Sequence, residues 1–224
     1  MNDVTITITK EIKDLLAQFG VIAFSMDVDI TDSSITKPDV LLYEKRIMEE
    51  YSLEDILNIP LIKEARDAYK KLGKDPSRYR LACESLLRRL VKGNGLYLIN
   101  NIVDAGNLLS IELFRSTAIL DLNKIKGNVE IRLGRIEDEY YGIGRGLLNV
   151  SNIPLYCDEI SPFGSPTSDT ERTMITSDTK SILVMVICFS EGEKSRITQT
   201  TIDMFKKYAN AQNIKEIKIL ESEE

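Results

Sequence analysis

The 224-residue chain has no histidine and no tryptophan. Without histidine there is no imidazole base, no Ser-His or Cys-His pair and no His-containing metal set. Cysteine is scarce. Cys83, Cys157 and Cys188 are scattered, odd in number and never spaced as CxxC, so they read as small buried hydrophobes in a reducing cytoplasm. No cofactor and no metal is expected. Long apolar runs are also missing. The longest, Ile182–Phe189, is too short to span a bilayer, and "MNDVTITITK" lacks the basic and apolar regions of a signal peptide. The expected partner set excludes a membrane.

What is present is ordinary globular material, 43% hydrophobic and 29% charged, with a net charge of −6. The charge is unevenly placed. Residues 1–69 hold 7 Lys and Arg against 14 Asp and Glu, residues 70–92 hold 8 against 2, and residues 93–224 hold 14 against 19. A short basic island therefore sits inside an acidic protein.

"VTITITK" alternates with period two, and "GVIAFSMDVDI" predicts a second strand. "KPDVLLYEKRIMEEY" and "SLEDILNIPLIKEARDAYKKLG" predict helices, the latter broken near Pro60 and closed by Gly73. In "KDPSRYRLACESLLRRLVKGNG", Asp75 as cap and Pro76 in the first turn predict a third helix, with Tyr79, Cys83, Leu86, Leu87 and Leu90 as its buried stripe. "INNIVDAGNLLSIELF" predicts another helix. Strands are expected at Ala118–Leu122, Val129–Leu133, Pro154–Tyr156 and Ile182–Phe189, then a helix over Ser195–Asn210 and a closing strand "IKEIKIL". Ile182–Phe189 has no polar alternation, so both its faces should be covered. Helices early and strands late favour an α+β fold.

Four features bear on chemistry. Arg78, Arg88, Arg89 and Lys92 project into one arc of the third helix, either a solvated face or a contact surface for RNA phosphate. Asn100, Asn101, Asp104 and Asn107 recur on one helical face, where they either pin the helix or line a polar pocket. "YYGIGRG" has GxGxG spacing, not GxGxxG, and reads as a glycine turn between strands. "ISPFGSPTSDTERT" is rich in hydroxyl and acidic side chains, either a linker or the wall of a site. Asp169 or Glu171 there can serve as general base only with a raised pKa.

"INNIVDAGNLLSIEL…LDLNKIKG", with Ile99, Asn100, Val103, Asp104, Asn107, Glu112, Asp121, Leu122 and Lys124, resembles the editing region of the bacterial phenylalanyl-tRNA synthetase β subunit, the B3/B4 domain. Glu137, "GIGRG" and Asp158 fall where that domain has a Glu, a glycine turn and an Asp. The wider pattern from "AYKKLGKDPSRYR" is similar to free-standing B3/B4 proteins. The resemblance implies mixed, largely antiparallel sheets in a sandwich-like core covered by helices. It implies residues 1–70 as an extension packed on a B3/B4-like domain over 71–224. It implies a cytoplasmic protein acting on tRNA or aminoacyl-tRNA, by hydrolysing a wrongly attached amino acid, with a pocket drawn from Asn101, Asp104, Asn107, Asp121, Glu137, Thr167, Ser168, Asp169 and Thr173. Ala118 stands where the synthetases carry a histidine, and Phe114-Arg115-Ser116 replaces a glycine-glutamine-proline. Water oriented by backbone and hydroxyl groups is the alternative route for an already activated ester. A binding module for RNA or a small ligand, and an enzyme on another small ester or amide, are the competing readings.

Overall fold

The computed structural model describes residues 4–223; residues 1–3 and 224 lie outside it. Alternation in the first segment gives strand β1 (Ile6–Ile8), followed by a short helix α1 (Lys10–Leu15) and strand β2 (Gly20–Asp27). Four helices follow: α2 (Lys37–Glu50), α3 (Leu53–Asn58), α4 (Pro60–Lys71) and α5 (Ala82–Val91). The break between α3 and α4 falls at Pro60, which opens the new helix where its missing N–H is no loss. Helix α6 (Asn101–Leu113) leads into β3 (Thr117–Asp121) and β4 (Val129–Leu133). A small hairpin, β5 (Tyr141–Gly142) and β6 (Gly146–Leu147), precedes β7 (Pro154–Cys157) and β8 (Pro162–Gly164). The chain ends through β9 (Ser181–Cys188), α7 (Lys194–Ala209), β10 (Gln212–Glu216) and β11 (Ile219–Glu221).

The architecture is α+β. One sheet runs β11-β1-β4-β7-β8, with β1 parallel to both neighbours and the rest antiparallel; the other runs β10-β2-β9-β3, antiparallel throughout. All eight residues of β9 are buried. Leu183, Met185 and Ile187 pack between the sheets with Ile6, Ile8, Ile131 and Tyr156. Ile182, Val184 and Val186 point the other way, onto Ile102, Leu108 and Leu109 of α6 and Ile197 and Phe205 of α7. Helix α6 sits so close to β3 that a Cβ on Gly106 would lie 2.4 Å from Cγ1 of Ile119. Helices α2–α5 form a further apolar cluster through Ile47, Ile56, Ile62 and Leu87.

Strands β1 and β2, from residues 1–70, are interior strands of the two sheets. Two expectations need correction. "IKEIKIL" is not one strand. Ile217 donates its N–H to Ala23 in one sheet, Lys218 accepts from Ile6 in the other, and the chain splits there into β10 and β11. The third helix begins at Ala82, not near Pro76. Asp75 spends its carboxylate on the Ser77 N–H at 2.8 Å, a turn instead of a helix cap, and Leu81 is extended.

The same turn sets up a buried charge network. Glu84, 0% exposed in the first turn of α5, accepts two hydrogen bonds from Arg66 at 2.8 and 3.0 Å, with Arg80 at 3.5 Å and Arg88 at 3.7 Å. Removing a buried charge leaves its partners uncompensated. Glu84→Gln should therefore lower stability by about 3–5 kcal/mol. Urea unfolding checks this; an unchanged midpoint contradicts it.

Candidate functional site

The segment "ISPFGSPTSDTERT" is ordered by its own hydroxyls and carboxylates. After β8 the chain turns over Ser165–Ser168. Ser165 Oγ accepts from the N–H groups of Thr167 (3.3 Å) and Ser168 (3.1 Å) and donates to the Ser168 carbonyl at 2.8 Å. Thr170 returns to β8, donating both its N–H and hydroxyl to the Phe163 carbonyl. Arg172 then clamps the base of the loop onto Asp158 at 2.8 and 3.2 Å. Burial acts to raise the Asp158 pKa, but backbone N–H groups of Lys126, Ser161 and Ile160, with the Arg172 guanidinium, hold it below the ordinary carboxylate range. The segment is a built wall.

Two clefts flank it. A cleft of about 700 Å³ lies between the loop preceding the hairpin, the hairpin strand β6 and the Arg78–Tyr79 turn; its walls include Glu137, Arg145, Leu147, Leu148 and Thr167. A second, of about 610 Å³, lies on the hairpin's other side, with Tyr141, Glu171 and Arg172 on its walls. The hairpin is tied to the loop by the Ile143 N–H, which donates to the Asp169 carbonyl at 2.9 Å, and by a bridge between Gly142 and Thr170. "GIGRG" is thus a turn between two short strands, with Gly144 and Gly146 at positive φ.

Beneath the first cleft lies a group of phenols. Thr167 Oγ1 and Tyr69 Oη are 2.8 Å apart, and Tyr140 donates to the Ser168 carbonyl. Asp169 places its Oδ1 out of solvent with no hydrogen-bond partner, and Tyr156 Oη and Thr173 Oγ1 are likewise buried and unpaired. Burial pushes the Asp169 carboxyl up to about 7, against a backbone hydrogen bond from Ser165 that pulls it down. Burial first, and the Asp169 charge second, push the Tyr140 and Tyr156 phenols up.

The structure separates the residues singled out in the sequence. Glu137, Thr167 and Arg78 meet on the first cleft. Ser168 and Asp169 lie behind that wall, Thr173 is buried, and exposed Glu171 faces the second cleft. Asn101 pins α6: it donates to the carbonyls of Asp29 (2.8 Å) and Tyr208 (2.9 Å) and accepts from the Thr31 N–H at 2.7 Å. Asp104 accepts from Thr36 Oγ1 (2.7 Å) and the Ile99 N–H (3.0 Å), and Asn107 is half-buried farther along the helix. Asp121 accepts from Thr179 Oγ1 at 2.8 Å and caps the turn at Leu122–Lys124. None of these four lies on the wall of either cleft.

The basic arc also divides. Arg78 belongs to the turn and not to a helix, and Arg88 faces Glu84. Arg89 binds the Gly95 and Asn94 carbonyls and stacks 3.8 Å from the Tyr97 ring centroid, while Lys92 is exposed at the helix end. Sequence reasoning missed Tyr69, Tyr140, Tyr156 and Arg145. A signal for the phenols was present, since tyrosine outnumbers phenylalanine nine to six in a chain without histidine. Among the described residues no group of three acidic or Cys side chains is arranged to hold a metal ion, and no helix is long and apolar enough to cross a membrane.

Comparison with known proteins gives three likenesses. The B3/4 domain model matches residues 64–219. The phenylalanine–tRNA ligase beta subunit of Fusobacterium nucleatum is 30% identical over 122 residues, 53% of this chain but only 15% of that subunit. An N-terminal fragment of the phenylalanyl-tRNA synthetase beta subunit from Pyrococcus horikoshii superimposes over 100% of this chain and 53% of its own, with a TM-score of 0.56 and 12% identity, a likeness of fold.

The buried Asp169 carboxyl carries a testable sign. Its folded pKa, about 7, exceeds that of an ordinary carboxylate, so the folded state keeps a proton that the unfolded chain has released. Its contribution to stability therefore falls as pH rises from about 4 to about 7. Asp169→Asn should match the wild type near pH 4 and exceed it at pH 8, by up to about 4 kcal/mol. Urea titrations at both pH values check this; parallel pH curves for the two proteins contradict it.

Proposed function

The chain belongs to the B3/4 domain family, and from that premise we propose that it hydrolyses the ester of a wrongly charged aminoacyl-tRNA in trans, at the cleft between the hairpin and the Ser165–Ser168 turn. The observation that carries the reading is the composition of that cleft. Arg78 and Arg145 supply guanidiniums for phosphate beside the exposed carboxylates of Glu137 and Glu139, Asp138 being held by Arg132, and Tyr79, Leu147 and Leu148 supply apolar surface for a base or side chain. Thr167, bonded to Tyr69, brings a hydroxyl pair to the wall. The named relative is a tRNA ligase subunit of which this chain spans 15%, so the ligase activity itself is not carried over.

In this reading the ester carbonyl lies against the Thr167 wall and a water attacks it. The proton leaves through hydroxyl groups, and the terminal ribose oxygen departs as an alcohol. No strong base is required at the wall, because the ester is activated and fixed geometry supplies much of the rate. Thr167 positions the water, and Tyr69 fixes the Thr167 rotamer. Asp169 lies behind the wall, where its charge acts on the phenols and not on substrate.

A second reading, binding of an aminoacyl or RNA ligand without turnover, is favoured by buried Ala118 at the position matched to the synthetase histidine. Hydrolysis across a panel of mischarged tRNAs separates the two. Deacylation predicts turnover of at least one ester above the buffer rate, lowered about 10²-fold by Thr167→Val in protein that stays folded at the assay temperature. No turnover across the panel sinks the deacylase; saturable binding without turnover then supports the second reading.

A further inference from the structure

The Glu84 network has more positive than negative charge. Three guanidiniums, Arg66, Arg80 and Arg88, surround one carboxylate, so the cluster keeps a surplus of two charges. Other carboxylates on these elements do not cancel it. Asp67 is held by Lys70 at 2.8 Å and Asp75 by the Ser77 N–H. Exposed Glu64 lies about 200° round α4 from Arg66. Like charges gathered in a partly buried place repel, and a second anion relieves that repulsion.

The cluster also has unused donors. The Nε atom of Arg88 is buried without a hydrogen-bond partner, and that of Arg80 reaches Glu84 only at 3.5 Å, an ion-pair contact and not a hydrogen bond, while the two side chains keep 23% and 36% of their exposure. Glu84 already fixes the direction of both guanidiniums, so little side-chain entropy remains to be lost on binding. Arg80 follows the Arg78–Tyr79 turn, and that turn is a wall of the 700 Å³ cleft. Lys74 and Arg78 lie over the Tyr79 ring at 4.4 and 5.6 Å and extend the positive surface to the cleft's edge.

We propose that Arg80 and Arg88, organised by Glu84, form a phosphate-binding site beside the cleft. The anion is either a phosphodiester of RNA or free phosphate. The site stands on the charge geometry alone; its assignment to RNA rests on the deacylation reading.

The test uses the full chain and the double variant Arg80→Gln/Arg88→Gln, which leaves the closer Arg66–Glu84 pair intact. Inorganic phosphate, at ionic strength matched with chloride, should raise the melting temperature of the wild type but not of the variant. A single-stranded RNA oligonucleotide should bind the wild type with a salt slope steeper by about one unit than the variant's. A response to phosphate alone assigns the site to the free anion; a response to RNA assigns it to the backbone. Equal responses of the two proteins in both arms overturn the proposal. If the double variant does not fold, Arg80→Gln, which loses the 3.5 Å contact to Glu84 and the exposed 3.4 Å hydrogen bond to the Ser77 carbonyl, carries the same comparison. Hydrolysis is read in neither arm, so an inactive protein that still binds phosphate refutes the deacylase and leaves this site standing.

Discussion

Burial of both faces of β9 is the constraint on which the rest of the molecule depends. Eight consecutive buried residues leave that strand no solvent side. A sheet must cover Leu183, Met185 and Ile187, and helices must cover Ile182, Val184 and Val186. The first requirement draws β1 into the five-stranded sheet between β11 and β4. The second places α6 against β3, where Gly106 admits the close approach and Asn101 and Asp104 tie the helix start to three other segments. With both layers fixed, the far end of the five-stranded sheet presents β7, β8 and the loop after it as a rigid platform.

The candidate site is built on that platform. Ser165 closes the turn, Arg172 and Asp158 clamp its base, and Ala82 of α5 donates its N–H to the Pro166 carbonyl at 2.8 Å. The same helix start carries Glu84 and its arginines, so cleft wall and basic cluster share one support. Buried phenols and an unpaired carboxyl oxygen behind the wall are costly to hold, and a folded core gains nothing obvious from them. Their position under a cleft is the reason to read them as part of a site.

Much of the framework was legible in the sequence, because periodicity and proline act locally. The break at Pro60, the limits of β4 and the double burial of β9 followed from residues within those segments. The failures share one cause, partners distant in sequence. Asp-Pro at 75–76 reads as a helix start, but the fold makes it a turn, with α5 begun only where the Ala82 N–H bonds Pro166. The row Asn101, Asp104 and Asn107 looked like a pocket or a pin, and only Asp29, Thr36 and Tyr208 tell which role the first two serve. Counting charges found the basic island but not that buried Glu84 gathers its arginines or that Tyr97 and Gly95 hold Arg89. The loop over residues 160–173 was legible as polar and not as a clamp, since its closing contacts depend on the fold.

The central claim is that ligand enters between the hairpin and the Thr167 wall. The most direct measurement is amide chemical-shift mapping of the labelled protein with a non-hydrolysable aminoacyl-adenosine analogue. The account predicts the largest shifts at Arg78–Tyr79, Leu147–Leu148 and Thr167, with Asn101 and Asp104 unmoved. Shifts concentrated at Asn101–Asn107, or none at Thr167 under saturation, would contradict it.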